Sequence, residues 1–372
     1  MRIFWNFSFF CLSLLLAFAM GEGLTRIWVK HAGDALHRAR RVIAADSIYS
    51  WRQRANLDTE FEGTPLLTDT TGFRQLSPTP PGAVDIVTIG PSSAFGWGVR
   101  AEDTYTAVAA RETKLIGFNA GQIGYSLTQG RRLYQELRQD SRIENAKVVI
   151  ISYGVNDLDR FRFFGSENTA NEDDEAYFAR DFQSEIRWED LVTGSAFLEL
   201  LVRSKNELAS ATSCGVASPP SLRLPLSKFS TSLQDLIAEV RADRRVPILI
   251  NTPYQRHPTE TDDEPDIAYR NSARERQQDH CREAREWVLK ARSAEPERVA
   301  RDVARLNSVI AQVGIATDAP VVDAYQLLGV APDLFFDPIH PSTEGHRRLA
   351  ANLRKAIHEV VDFAKTTAEP AQ

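Results

Sequence analysis

The stretch Ile86-Val-Thr-Ile-Gly-Pro-Ser-Ser-Ala-Phe-Gly-Trp-Gly-Val99 decides how this chain is read. Four β-branched residues favour an extended strand, Gly90-Pro91 interrupts it, and two adjacent serines stand in the turn that follows. Either one serine is a nucleophile at a strand end, or this is an ordinary strand-to-helix turn. Residues far away in the sequence separate the two readings.

Similar β-branched or apolar runs recur along the chain. The predicted strands are Val84–Ile89, Lys114–Phe118, Val148–Tyr153, Val246–Thr252 and Pro320–Ala324. Between and after them, apolar residues fall at helical spacing: Phe229, Leu233, Leu236, Ile237 and Val240; Val299, Val303, Leu306, Ile310 and Val313; Leu349, Leu353, Ile357 and Val361. Strands that alternate with helices require right-handed crossovers, so the expectation is an α/β protein with a parallel sheet covered on both faces. Residues 159–225 and 255–297 exceed what a crossover needs and are expected insertions. Their acidic runs, Glu172-Asp-Asp-Glu175 and Thr261-Asp-Asp-Glu-Pro-Asp266, read as solvated surface.

The amino-terminal part differs in kind. Residues 3–20 carry no charge, follow a lone Arg2, and are about long enough to cross a bilayer core. Ala17-Phe18-Ala19 fits the small-residue pattern before a signal-peptidase cut. With one positive charge ahead of it and an apolar run longer than most signal cores, an uncleaved anchor is the expectation. Cleavage would give a secreted protein, so both readings put the body outside the cytoplasm. Residues 22–82 are expected to form a basic juxtamembrane helix and a lead-in ending in Ser77-Pro-Thr-Pro-Pro-Gly82, with the folded domain at 84–362 and a tail at 363–372.

Composition narrows the function classes. The chain has 372 residues, 43% hydrophobic and 25% charged, and a net charge of -6. No basic stripe alternates with aromatics, which argues against nucleic acid as a partner. Cys11 lies in the apolar segment, leaving Cys214 and Cys281. In an oxidising compartment these two would pair as a disulfide between the insertions; the other reading is two unrelated buried cysteines. No histidine cluster has metal-ligand spacing.

Ligands of an open parallel sheet bind beyond the carboxyl ends of its strands. At those ends stand Gly90-Pro-Ser-Ser-Ala-Phe-Gly96, Asn119-Ala-Gly-Gln-Ile-Gly-Tyr-Ser126, Gly154-Val-Asn-Asp157 and, after one further segment, Asp337-Pro-Ile-His-Pro341. A serine hydroxyl needs a neighbouring base, which His340 would supply, and Asp337 would orient that imidazole. The N–H groups of Ser92 and Gly124 and the amide of Asn156 would form an oxyanion hole. Each piece alone has a bland reading: a glycine turn, a helix cap at Asn156-Asp157, a turn aspartate before Pro338.

Together the four blocks resemble those of the SGNH hydrolases, the GDSL-type esterases and lipases. The resemblance covers about 84–362 without the insertions, and Thr71-Gly-Phe-Arg74 is similar to the lead-in of membrane-anchored bacterial members. It implies a flavodoxin-like three-layer α/β/α fold with a five-stranded parallel sheet of order 2-1-3-4-5. It implies Ser92 as nucleophile with Phe95-Gly-Trp-Gly98 following at the usual spacing, Ser93 as a variable position, and Asp337 and His340 as acid and base. Ser92, Gly124 and Asn156 take the oxyanion positions, while His346 opens the last helix. No metal or organic cofactor is implied.

One departure stands out: where the family reads Gly-Asp-Ser, this chain reads Gly90-Pro91-Ser92, and Ala94 replaces the usual threonine. Proline removes one backbone donor and pushes Gly90 toward extended geometry, and a carboxylate that could brace Asn156 is lost. The expected function is an extracytoplasmic serine esterase acting on an ester or an acylated glycan. The alternatives are an O-acyltransferase to carbohydrate using the same residues, and an inactive carbohydrate-binding module.

Overall fold

The computed structural model describes residues 2–368 except 33–34, 75–79, 161, 164–171, 213, 215–219, 256–263 and 330. Ser77–Thr79 of the proline-rich lead-in, residues 261–263 of the second acidic run and the tail residues 369–372 lie outside the described residues, as does the side chain of Val361.

In chain order the elements are α1 (Arg2–Ala32), α2 (Ala35–Val42), β1 (Ile43–Asp46), β2 (Ser50–Gln53), β3 (Asp58–Phe61), β4 (Thr64–Leu67), β5 (Ile86–Ile89), α3 (Ser92–Phe95), α4 (Tyr105–Thr113), β6 (Gly117–Asn119), α5 (Leu127–Leu137) and β7 (Val148–Ile151). The first insertion carries α6 (Asp174–Ala179), α7 (Gln183–Thr193) and α8 (Ala196–Thr212); then come α9 (Leu226–Ala242) and β8 (Val246–Ile250). The second carries α10 (Glu264–Gln277) and α11 (Cys281–Ser293), before α12 (Glu295–Thr317), β9 (Val321–Val322), α13 (Ala324–Leu328) and α14 (Thr343–Ala368).

Five strands form one parallel sheet in the order β6-β5-β7-β8-β9, which is 2-1-3-4-5. Side chains alternate across it with period two. Val87, Ile89, Val149, Ile151 and Leu249 enter one core with the buried faces of α5, α9 and α12. Ile86, Val148, Ile150, Ile248 and Ile250 enter the other with α4 and α14. Both faces are covered, which is why the strands read as continuous apolar runs.

Two expectations are corrected. The second strand begins at Gly117, not Lys114, because Lys114 takes a left-handed conformation that closes α4, with its N–H on the carbonyls of Ala110 and Arg111. Within the expected lead-in, residues 43–74 are part of the folded body rather than an approach to it. They fold into the antiparallel pairs β1–β2 and β3–β4, and Tyr49, Trp51, Phe61 and Phe73 are buried in the larger core. Strands of four residues that mix apolar and charged positions give too short a pattern to be read as a period.

Within α1, Asn6–Ile27 is long and apolar enough to cross a membrane, and side chains such as Phe9, Leu15 and Met20 are exposed. The structure joins Cys214, beyond α8, to Cys281 at the start of α11, linking the two insertions.

The loop after β6 lies hard against α3. A Cβ at Gly121 would stand 2.4 Å from the Phe95 nitrogen and 2.8 Å from the Ala94 carbonyl carbon, both backbone atoms. Gly121→Ala is therefore expected to destabilise the protein by about 1–3 kcal/mol through forced backbone displacement, read as a lower midpoint in urea unfolding.

Candidate active site

Every sequence-predicted site residue lies at or beyond the carboxyl edge of the sheet. β5 delivers the chain to Gly90, where a Cβ would meet Ser152 O and the Ala94 methyl at 2.6 Å. Pro91 is extended (φ -82°, ψ -157°) and forms the N-cap of α3, its carbonyl accepting from the N–H groups of Ala94 and Phe95. A missing N–H costs nothing there, because that position lies ahead of the helix's own hydrogen bonds. Ser92 opens α3 and Gly96 closes it in a left-handed conformation.

Ser92, not Ser93, meets the histidine. His340 Nε2 lies 2.7 Å from Ser92 Oγ, and His340 Nδ1 lies 2.6 Å from Asp337 Oδ2. The other Asp337 oxygen accepts from the N–H groups of Ile339 (2.9 Å) and His340 (3.0 Å), so a three-residue turn fixes acid and base together. Burial pushes the Asp337 carboxyl up, but His340 and the two N–H donors outweigh it and hold the carboxyl below its usual range. The aspartate is therefore an anion aimed at Nδ1, an arrangement that stabilises an imidazolium.

The indole of Trp97 lies parallel to the His340 ring, centroids 4.8 Å apart at 10°. Phe61, from the β3–β4 hairpin, buttresses Trp97 edge-on at 4.7 Å. A ring face against imidazole restricts its tilt, and it favours the cation once formed. Arg74 grips the other end of α3: its Nη1 donates to the carbonyls of Phe95 (3.0 Å) and Gly96 (2.6 Å), and its Nη2 to that of Val99 (2.5 Å). Of these, the Phe95 carbonyl belongs to the last turn of α3, where a short helix leaves its carbonyls unsatisfied.

The oxyanion candidates converge through their carbonyls. Trp51 Nε1 donates to Ile123 O at 2.8 Å, and Arg223 Nη1 to Gly124 O at 2.7 Å. In a trans peptide the C=O and the next N–H point in opposite directions, so the Trp51 bond turns the Gly124 N–H away from that tryptophan. Among the described residues, no hydrogen bond engages the N–H of Ser92 or of Gly124. Gly124 has φ +76° and carries the Phe163 ring against its Cα, 2.0 Å from where a Cβ would stand. Asn156 Nδ2 donates one hydrogen to Tyr125 O at 3.0 Å, leaving a second. Asp157 accepts from the Leu127 N–H at 2.8 Å, bracing the β7 and β6 loops together.

Sequence reasoning missed Trp51, Trp97 and Arg223. Arg223 belongs to the first insertion, where it and Arg162 share the fully buried Asp174 at 3.0 and 2.7 Å. Trp97 alone carried a local signal, lying inside the block that follows Ser92.

His346 is wholly buried in the first turn of α14. Its Nδ1 accepts from the Tyr105 N–H at 3.0 Å and its ring stacks on Tyr105. Burial, with Arg74 and His340 adding to it, pushes its pKa down to about 3. It is neutral and structural. Among the described residues no group of three or more His, Cys, Asp or Glu is placed to hold a metal.

The sequence profile of the GDSL-like Lipase/Acylhydrolase family matches residues 87–348. No match is found among curated proteins. Among solved structures, the chain is similar to a GDSL-like lipase from Bacteroides thetaiotaomicron, with 15% identity, 76% of this chain and 93% of that one covered, and a TM-score of 0.40. It is similar to a member of the lipolytic protein G-D-S-L family from Veillonella parvula, with 12% identity, 73% and 97% covered, and a TM-score of 0.38. A third is the acetylxylan esterase Axe2 from Geobacillus stearothermophilus, with 16% identity, 74% and 94% covered, and a TM-score of 0.38.

The His346 environment has a pH consequence. The unfolded histidine takes up its proton near pH 6.5, the folded one only near 3. Between these values the unfolded state binds more protons, so this residue's contribution is complete above about pH 6.5 and is lost on acidification at about 1.4 kcal/mol per pH unit. His346→Asn, whose Oδ1 can accept from Tyr105 in place of Nδ1, is expected to flatten the stability profile between pH 6 and 4 by about that slope, measured as urea-unfolding free energy.

Proposed function

The chain belongs to the GDSL-like lipase/acylhydrolase family and is an ester-hydrolysing serine hydrolase, and on that premise we propose the roles of its site residues. Ser92 Oγ attacks the acyl carbonyl while His340 Nε2 takes its proton. Asp337 holds the imidazole in the tautomer with the proton on Nδ1 and stabilises the cation. The N–H groups of Ser92 and Gly124 and the second amide hydrogen of Asn156 receive the oxyanion. His340 then returns its proton to the leaving oxygen, the C–O bond breaks, and the alcohol departs. Water, deprotonated by the same imidazole, releases the acid and frees Ser92. What carries this reading is the unbroken relay from Ser92 through His340 to Asp337 at 2.7 and 2.6 Å.

Pro91 is compatible with catalysis on this account. It removes a donor at residue 91, and the donor required is that of residue 92.

The expected outcome is hydrolysis of p-nitrophenyl acetate by the full chain in detergent. Ser92→Ala and His340→Ala each lower kcat/KM by about 10³-fold or more, while Ser93→Ala stays within a few-fold. A fluorophosphonate probe labels the parent and not Ser92→Ala. Hydrolysis indifferent to Ser92 overturns the assignment. Labelling of Ser92 without hydrolysis, with transfer to an added sugar acceptor, would make the protein an acyltransferase.

We place the body of the protein on the extracytoplasmic side, tethered by α1, with a short acyl ester on an envelope glycan as substrate. The Cys214–Cys281 disulfide supports that side. The charge flanks favour the other: Arg2 alone precedes the apolar run, whereas Arg26, Lys30, Arg38, Arg40 and Arg41 follow it. Alkylation in intact cells before and after reduction decides between them. Cys214 and Cys281 are expected to be blocked until reductant is added; free thiols in both would put the site in the cytoplasm.

A further inference from the structure

The first insertion does more than hold Gly124. Its helix α8 does not cover the sheet; it packs on α1 and α7. The side chain of Glu22, on α1, caps the start of α8: it accepts from Ser195 Oγ at 2.6 Å and from the N–H groups of Phe197 (3.0 Å) and Ala196 (3.2 Å). Arg26, one turn along α1, donates to the same carboxylate at 2.6 Å and to Gly194 O at 3.4 Å. Phe197 sits on Gly21, where a Cβ would come within 3.1 Å of its ring, and meets Phe18 edge-on at 5.8 Å. Phe18, Gly21, Glu22 and Arg26 lie on one face of α1 at helical spacing, so α8 has a fitted seat there.

That seat lies at the carboxyl end of the membrane-spanning stretch. Asn6–Ile27 spans 22 residues, roughly 33 Å at a rise of about 1.5 Å per residue, close to the roughly 30 Å of a hydrocarbon core. Gly21 directly follows Met20, where the uncharged run ends, and Glu22 and Arg26 are the first charges beyond it. The first turn of α8 is thereby held at the level where acyl chains give way to headgroups. Just beyond it Leu200 and Leu201 are exposed, and on α7 Trp188 is 60% exposed. Tryptophan and leucine at that level suit the interface between lipid and water. α1, on which α8 packs, itself exposes Phe18, Met20 and Leu24 along the same stretch.

We propose that α7 and α8 rest in the bilayer surface beside α1, as a second lipid contact of this protein; this depends on reading α1 as a membrane span. The contact also fixes the site relative to the membrane. Glu199, on α8, pairs with Arg40 at 2.7 Å, and Arg40 Nη2 donates to Phe163 O at 2.9 Å. The Phe163 ring is the one seated on Gly124. A continuous line of contacts thus runs from the lipid-facing helix to the oxyanion loop, holding the esterase site at a set height above the lipid.

Three full-length samples test this in phosphatidylcholine vesicles, each carrying bimane on a single thiol: the natural Cys11, and Leu201→Cys or Ile315→Cys in a Cys11→Ala background. Cys214 and Cys281 stay bridged and unlabelled. Ile315, 84% exposed at the end of α12, samples the far edge of the sheet. The readout is quenching by phosphatidylcholine brominated on its acyl chains. The expected result is strong quenching at Cys11, quenching at Leu201→Cys several-fold above that at Ile315→Cys, and little at the latter. Quenching at Cys11 with Leu201→Cys no higher than Ile315→Cys overturns the second contact and leaves the anchor standing; self-quenching between labelled copies in that case would assign the face to a dimer. No quenching at Cys11 removes the anchor, and the proposal with it.

Discussion

The bond between Ser92 Oγ and His340 Nε2 joins residues 248 positions apart, and most of the architecture is arranged around making it. Closing a loop of that length is entropically unfavourable, and one hydrogen bond contributes about 1 kcal/mol net, so the bond cannot hold the fold. The sheet must hold the bond. Order 2-1-3-4-5 puts β5 in the interior, flanked by β6 and β7, so the loops carrying Ser92, Gly124 and Asn156 are neighbours without any contact between distant surfaces being needed. The fourth loop, with Asp337 and His340, arrives from the α14 side, whose Leu349, Leu353 and Ile357 pack on the opposite face of the same strands.

Around that frame, backbone groups are aimed by what holds their opposite ends. The carbonyls of Ile123, Gly124 and Tyr125 are each taken by a buried donor: Trp51, Arg223 and Asn156. None of the three sits in the loop it controls. The Arg223–Asp174–Arg162 cluster behind Gly124 is a buried ion group, and such groups stabilise little relative to an apolar core. Its evident effect here is to fix direction, since an arginine bound to a buried aspartate can present its Nη1 in only one orientation. The two antiparallel hairpins of the lead-in act likewise, supplying Trp51 to the oxyanion loop and Phe61 to the ring that stacks on His340.

How far the sequence could be read depended on whether a residue's role was local. Ser92, Gly124, Asn156, Asp337 and His340 each stand at or just beyond the edge of a strand or helix whose period is plain, so their common location follows from the topology rule for parallel sheets. Lys114 was misjudged because a left-handed residue that ends a helix carries no pattern of its own. Trp51 and Arg223 were invisible for a different reason: their partners lie 72 and 99 residues away, and nothing in their own neighbourhoods marks them. Pro91 read as a loss and is structurally neutral as an N-cap, a fact available only once α3 is seen to begin at Ser92.

The sequence by itself determined the periodic elements, a parallel sheet covered on both faces and the short list of polar residues at the strand ends, because strand and helix periods and a right-handed crossover leave few arrangements; the strand order followed from the resemblance of those polar blocks to the SGNH hydrolases. Only the tertiary structure decided how Trp51, Arg223 and Trp97 support the site, which way the Gly124 N–H turns, and that the insertion seats on the apolar helix through Glu22. Those depend on directed contacts between segments far apart in the chain, and direction, unlike periodicity, is not written in the spacing of residues.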